Sequence, residues 1–233
     1  AVKRRRILPW GDAQRHRTSI DWREDLIARP SFTGTRMLDD VRLEDLLPYI
    51  DWTFFFSAWE LKGRFPAILD HPEYGAAARE LYDHARTLLD RIVRERLLTP
   101  KGVYGFWPAN TEGDDIVVYR PTIGTGRPED VLLRFCMLRQ QEETADGKPN
   151  QSLADFIAPR ESGLVDYIGA FAVTTGIGAD DLAGTFERKL DDYHAIMVKA
   201  LADRLAEAFA EYLHARRSEG HTSELQSRLH LVC

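Results

Sequence analysis

The sequence predicts an α+β fold around an antiparallel sheet, and two patterns carry that expectation. Strand-like runs at 103–107, 115–120 and 131–138 follow one another through Gly- and Pro-containing connections around Gly113 and from Pro121 to Pro128. Turn chemistry at such spacing suits antiparallel neighbours, whereas parallel neighbours each need a helical crossover. Two long stretches, 72–98 and 180–217, repeat apolar residues at helical spacing and supply flanking helices.

In chain order, residues 1–20 mix basic residues with Pro9 and Gly11 and show no apolar period, so they read as a linker entering from something upstream. Residues 38–50 place Val41, Leu43, Leu46 and Leu47 behind two acids, predicting a short helix that ends near Pro48. From Pro72 to Leu98, Leu81, Ala85, Leu88 and Ile92 share one face; Pro72 suits the first helical position, and Thr99, Pro100 and Gly102 stop the helix. A fourth strand, 166–174, holds Gly169, Ala170 and Ala172, small residues that let another backbone or a flat ligand approach closely. The last helix, from about Asp180 to Arg217, carries the stripe Leu201, Leu205, Ala208, Phe209 and Tyr212. On another side stand Asp203, Glu207 and Glu211, like charges at a four-residue spacing that calls for solvent or a cation.

Composition bounds the function. The chain has 233 residues, 44% hydrophobic and 29% charged, enough to bury a core without covalent staples. Its formal charge of −6 gives no basic face for nucleic acid. No apolar run reaches a membrane span. With only Cys136 and Cys233, a disulfide framework and a Cys-based zinc site are unsupported, and a reducing, cytoplasmic setting is expected. Cys136 reads as a buried apolar filler. GTG at 124–126 and GIG at 176–178 lack the third glycine and the strand-to-helix setting of a dinucleotide loop and read as turns. No metal site and no Ser-His-Asp set can be assembled.

Six ordered blocks are more specific than any of these signals: DWTFFFSAWELKG (51–63), GFWPAN (105–110), LRQQ (138–141), SLADFIAP (152–159), DYIGAFAVTTG (166–176) and DDYHAIMVKALADRLAEAFAEYLH (191–214). Together they resemble the C-terminal activation domain of cobalamin-dependent methionine synthase over roughly residues 21–215. Phe54 departs from the family, which usually has a proline after Asp-Trp-Thr. After the long helix, the family's Arg-Pro-x-Pro-Gly-Tyr-type motif, its main S-adenosylmethionine contact, is replaced by SEGHTSELQSRLHLVC (218–233), which looks like a non-native tail. The expected organisation is therefore a linker (1–20), a C-terminally incomplete activation domain (21–217) and that tail.

The resemblance implies a C-shaped single domain with a central antiparallel sheet. It implies a methyltransferase module that binds S-adenosylmethionine for reductive methylation of cob(II)alamin, with the isolated chain itself inactive. Cobalamin is expected in a neighbouring domain of the same polypeptide, zinc in another module, and the electron from flavodoxin or an equivalent reductase. The other reading is a docking module for the cobalamin domain and flavodoxin that cannot hold the methyl donor. No nucleic acid or membrane partner is expected.

Two site residues carry over from the resemblance, and no catalytic acid, base or metal ligand does. Asp51 matches a family acid that contacts the ligand, which bears an ammonium and a sulfonium; the bland alternative is that Asp51 caps a helix beginning at Trp52. Glu207 matches a second acid, on the inward-turned side of the long helix; the alternative is a solvated face residue. The aromatics Trp52, Phe54, Phe55, Phe56 and Trp59 read as core rather than an adenine platform.

Overall fold

The computed structural model describes residues 6–121, 129–144 and 147–220. The GTG run at 124–126, Cys233 and most of the expected tail lie outside the described residues; the first three positions of that tail, 218–220, continue the last helix. The chain divides into two compact units, one of residues up to 36 with 104–171, the other of 37–103 with 172–220. Each is assembled from separated stretches of chain, so no composition shift along the sequence marks the division.

Five strands form one sheet: β1 (Gly34–Leu38), β2 (Thr99–Glu112), β3 (Asp115–Tyr119), β4 (Val131–Cys136) and β5 (Asp166–Ile177). The order is β1-β2-β3-β4, with β5 also paired to β2. The expected antiparallel pairing is present: Ala109 faces Val118 and Glu112 faces Asp115 across a tight turn, where Gly113 takes a φ of +65°. Strand β2 is nearly three times the predicted run, because Pro100 and Gly102, expected to act only as helix stops, already lie in it. A Cβ at Gly102 would come within 3.0 Å of the Phe209 ring and 3.1 Å of Leu38, so the glycine lets these side chains pack on the strand.

In the first unit, Ala109, Ile116, Val118, Ala154, Ile157 and Ile168 form the core, with Trp107, Leu132 and Met137 packed against it. Cys136 is exposed, as are Val131, Leu133 and Phe135. The expectation of a buried filler fails because β4 is the last strand in the sheet order, and an apolar run there does not guarantee two covered faces. Residues 6–20, read as linker, carry helix α1 (Trp10–Arg15), whose Ala13 is fully buried.

The second unit holds α2 (Leu43–Leu46), α3 (Trp52–Ala58), α4 (Gly75–Glu95), α5 (Ala179–Glu187) and α6 (Asp192–Gly220). Helix α2 and the 3-10 turn Leu47–Tyr49 divide the helix predicted at 38–50. Helix α4 begins at Gly75 rather than Pro72, and a Cβ there would meet the Leu69 carbonyl oxygen at 2.7 Å. It ends at Arg96 in the left-handed conformation, with the Leu97 N–H donating back to Ile92 O at 3.0 Å. The single helix predicted over 180–217 is two. Leu190 takes a φ of +58°, and Asp191 restarts the helix by accepting the His194 N–H at 3.2 Å. The apolar stripe lies where predicted: Leu201, Leu205, Ala208 and Phe209 are buried. The GIG run corrects its own reading, since it does join a strand to a helix; Gly178 takes a φ of +95°, but Asp180 and Asp181 fill the first turn and repel phosphate.

Candidate functional site

Asp51 precedes α3 in an extended conformation, and its Oδ1 accepts the Thr53 N–H at 2.8 Å. The capping role anticipated for it is thus present, and the carboxylate is exposed. A cap uses one carboxylate oxygen and leaves the charge intact, so it does not compete with attraction of a cationic ligand. Thr53 is fixed in turn, its Oγ1 accepting the Phe65 N–H at 3.2 Å.

Of the five aromatics read as core, Phe55 and Phe56 are fully buried and Trp52 is 9% exposed. Trp52 packs edge-on to Phe55 at 5.3 Å and to Tyr82 at 4.8 Å. Trp59 is half-buried, at 5.1 Å from Tyr193. Phe54 is the departure, with 60% of its surface exposed. Helix α3 is seven residues long and buries one side, and Phe54 points off that side.

Two contacts set α3 and the 3-10 turn before it against α6. The Arg204 guanidinium lies 5.7 Å from the centre of the Phe54 ring, and Tyr49 meets Tyr212 edge-on at 5.7 Å. These contacts bracket both segments: Asp51 falls between Tyr49 and Phe54, and Glu207 between Arg204 and Tyr212. Asp51 and Glu207 thus lie on segments that pack together, 156 positions apart in sequence. Glu207 is exposed and has no ion pair among the described residues. Asp203 and Glu211 are exposed as well, so the acid row faces water. Arg204, paired with its neighbour Asp203, keeps only 17% of its side-chain surface exposed.

The arrangement offers negative charge at a helix start and along an adjacent helix face, with an exposed aromatic ring beside it. Exposed carboxylates and an exposed ring attract a cation with an apolar body. Among the described residues no group of three metal-ligating side chains is close enough to hold a metal ion. No helix among them is long and apolar enough to cross a membrane.

Sequence reasoning did not find the most concentrated charge cluster, which lies in the first unit. Arg139, its side chain fully buried, donates to Asp155 Oδ1 at 2.5 Å, to Asp114 Oδ1 at 2.6 Å and to the Asn150 carbonyl at 2.6 Å. The two carboxylates hold its pKa above the usual arginine value. Asp155 also closes a capping box with Ser152 around the 3-10 turn Leu153–Phe156. The Ser-x-x-Asp spacing was a legible signal; the partnership with Arg139 was not.

The family model for the vitamin B12-dependent methionine synthase activation domain matches residues 42–227. A solved structure, the crystal structure of the MetH reactivation domain bound to AdoHcy, is 41% identical, with a TM-score of 0.81 over 94% of this chain and 68% of that one. On the extent of the family match and the identity to a solved member, the chain belongs to the activation-domain family of vitamin B12-dependent methionine synthase.

Proposed function

We propose that this chain is a reactivation module that binds S-adenosylmethionine and presents its methyl group for reductive methylation of cob(II)alamin. The observation that carries the reading is the likeness to a reactivation domain holding AdoHcy, which is S-adenosylmethionine without its transferable methyl. Asp51 and Glu207 act as electrostatic and orienting groups toward the ammonium and sulfonium. Bound in a neighbouring domain of the same polypeptide, cobalamin supplies the cobalt nucleophile and flavodoxin or an equivalent reductase supplies the electron. This chain contributes placement, since attack on a sulfonium methyl needs no general acid or base. Zinc belongs to another module of the full enzyme.

The alternative is a docking module for the cobalamin domain and flavodoxin that does not hold the donor. Calorimetric titration of S-adenosylmethionine separates the two readings. The partners are the chain as it stands, a version carrying a family-like C-terminal segment, and the Asp51→Ser change in that version. Serine keeps the helix cap and removes the charge. The proposal expects binding with the restored segment and at least tenfold weaker binding after Asp51→Ser. No binding in any version leaves the docking reading, and full affinity in Asp51→Ser removes Asp51 from the site.

A further inference from the structure

Residues 6–18 have the composition of a linker but are held on the first unit at every turn. Ile7 bridges Glu142 in antiparallel fashion: the Leu8 N–H donates to Gln141 O at 2.8 Å, the Glu143 N–H to Arg6 O at 2.8 Å, and Gln141 Nε2 to Leu8 O at 3.0 Å. Helix α1 follows, and Gln14 Nε2 donates to Asp114 Oδ2 at 3.1 Å. The Asn150 N–H donates to His16 O at 2.8 Å, and the Thr18 N–H reaches Asp155 Oδ2 at 3.4 Å. Asp114, Asp155 and Asn150 are the three groups that Arg139 gathers. One buried guanidinium thus fixes the shelf on which residues 14–18 rest, while residues 6–8 pair with 141–143.

We propose that residues 6–18 are a docked strap, anchored through the Arg139 cluster, and that any domain ahead of this chain pivots upstream of Arg6 rather than at residue 20. This rests on the reading that a cobalamin-binding domain precedes the chain in the same polypeptide. A tether running to residue 20 and one stopping before Arg6 differ by about 15 residues, about 50 Å of extended reach. The shorter tether confines the preceding domain and raises its effective concentration at this one. Docking also has a cost that makes it reversible. Thr18 Oγ1 and Asn150 Oδ1 are buried with no hydrogen-bond partner among the described residues, and unpaired buried polar atoms weaken a contact. Release of the strap exposes the buried Ala13 and lengthens the tether.

Hydrogen exchange on the whole chain tests this, together with tryptic cleavage after Arg15 and Arg17, in the native protein and in Leu8→Pro and Gln14→Ala. Leu8→Pro deletes the first strap hydrogen bond and Gln14→Ala the tie to Asp114; neither touches a core residue. The strap predicts that Leu8 and Thr18 amides exchange at least 100-fold slower than an unstructured peptide. It also predicts that cleavage after Arg15 and Arg17 speeds up at least tenfold in Leu8→Pro, while α4 amides keep their protection. Peptide-like exchange at Leu8 and Thr18 in the native chain overturns the proposal, as does cleavage unchanged in both variants. Failure of S-adenosylmethionine to bind would count against the functional reading and leave these rates unaffected.

Discussion

The two acid clusters of this protein differ in how fully their charges are partnered. Around Arg139, the carboxylates of Asp114 and Asp155 are 9% and 3% exposed, and each is hydrogen-bonded to the guanidinium and to neighbouring chain. Along α3 and α6, Asp51 and Glu207 are exposed, and the one hydrogen bond either makes among the described residues is the Thr53 N–H donated to Asp51. The first cluster has no capacity left for a ligand and holds loops in place. The second keeps its charge in reserve, which is what recognition of a cation requires. A saturated carboxylate holds structure in place, whereas an exposed one with few partners keeps its charge for solvent or a cation.

The sharpest way to break the contrast is Arg139→Met. It leaves two buried carboxylates without their cation, and loss of about 3–5 kcal/mol is expected. Urea unfolding checks it, and a loss under 1 kcal/mol would show the cluster to be dispensable. Asp51→Ala comes next, costing about 1 kcal/mol through the lost cap, read as a lowered melting temperature that Asp51→Ser largely restores.

A smaller, pH-dependent effect belongs to Glu112. Arg134 at 2.7 Å and Arg160 at 2.6 Å hold its carboxyl below the usual glutamate range. A pKa lowered by folding contributes stability that is present above the unfolded value of about 4.3 and is lost as pH falls through the folded value. Glu112→Gln should therefore flatten the acid limb of the stability curve below about pH 4.5 and leave its slope at pH 7 unchanged; identical acid limbs would contradict the assignment. Smallest of all is Glu207→Gln, expected to move stability by no more than about 0.5 kcal/mol, as for an unpaired surface group. A larger loss would mean that Glu207 is structural after all, and the comparison of the two clusters would fail on its second half.

Legibility followed the range of the interaction. The Asp51 cap was readable because donor and acceptor are two residues apart. The α6 stripe was readable because its period is set by helix geometry, and the hairpin at Gly113 because a tight turn has its own chemistry. The break at Leu190 is not legible because a leucine at positive φ leaves no compositional mark. The exposure of Cys136 is not legible because a strand's own residues do not report whether a neighbour covers it.

The sequence by itself determined the class of fold, the helical and strand periods, the family and the identities of the candidate acids, all of which are local patterns or ordered blocks of them. Only the tertiary structure decided which carboxylates are spent and which remain available. It packed Phe54 against Arg204 and Tyr49 against Tyr212, closed Arg139 between Asp114 and Asp155, and laid residues 6–18 on the first unit. Each of those outcomes depends on groups tens to more than a hundred positions apart, brought together by burial of apolar surface that has no memory of sequence distance.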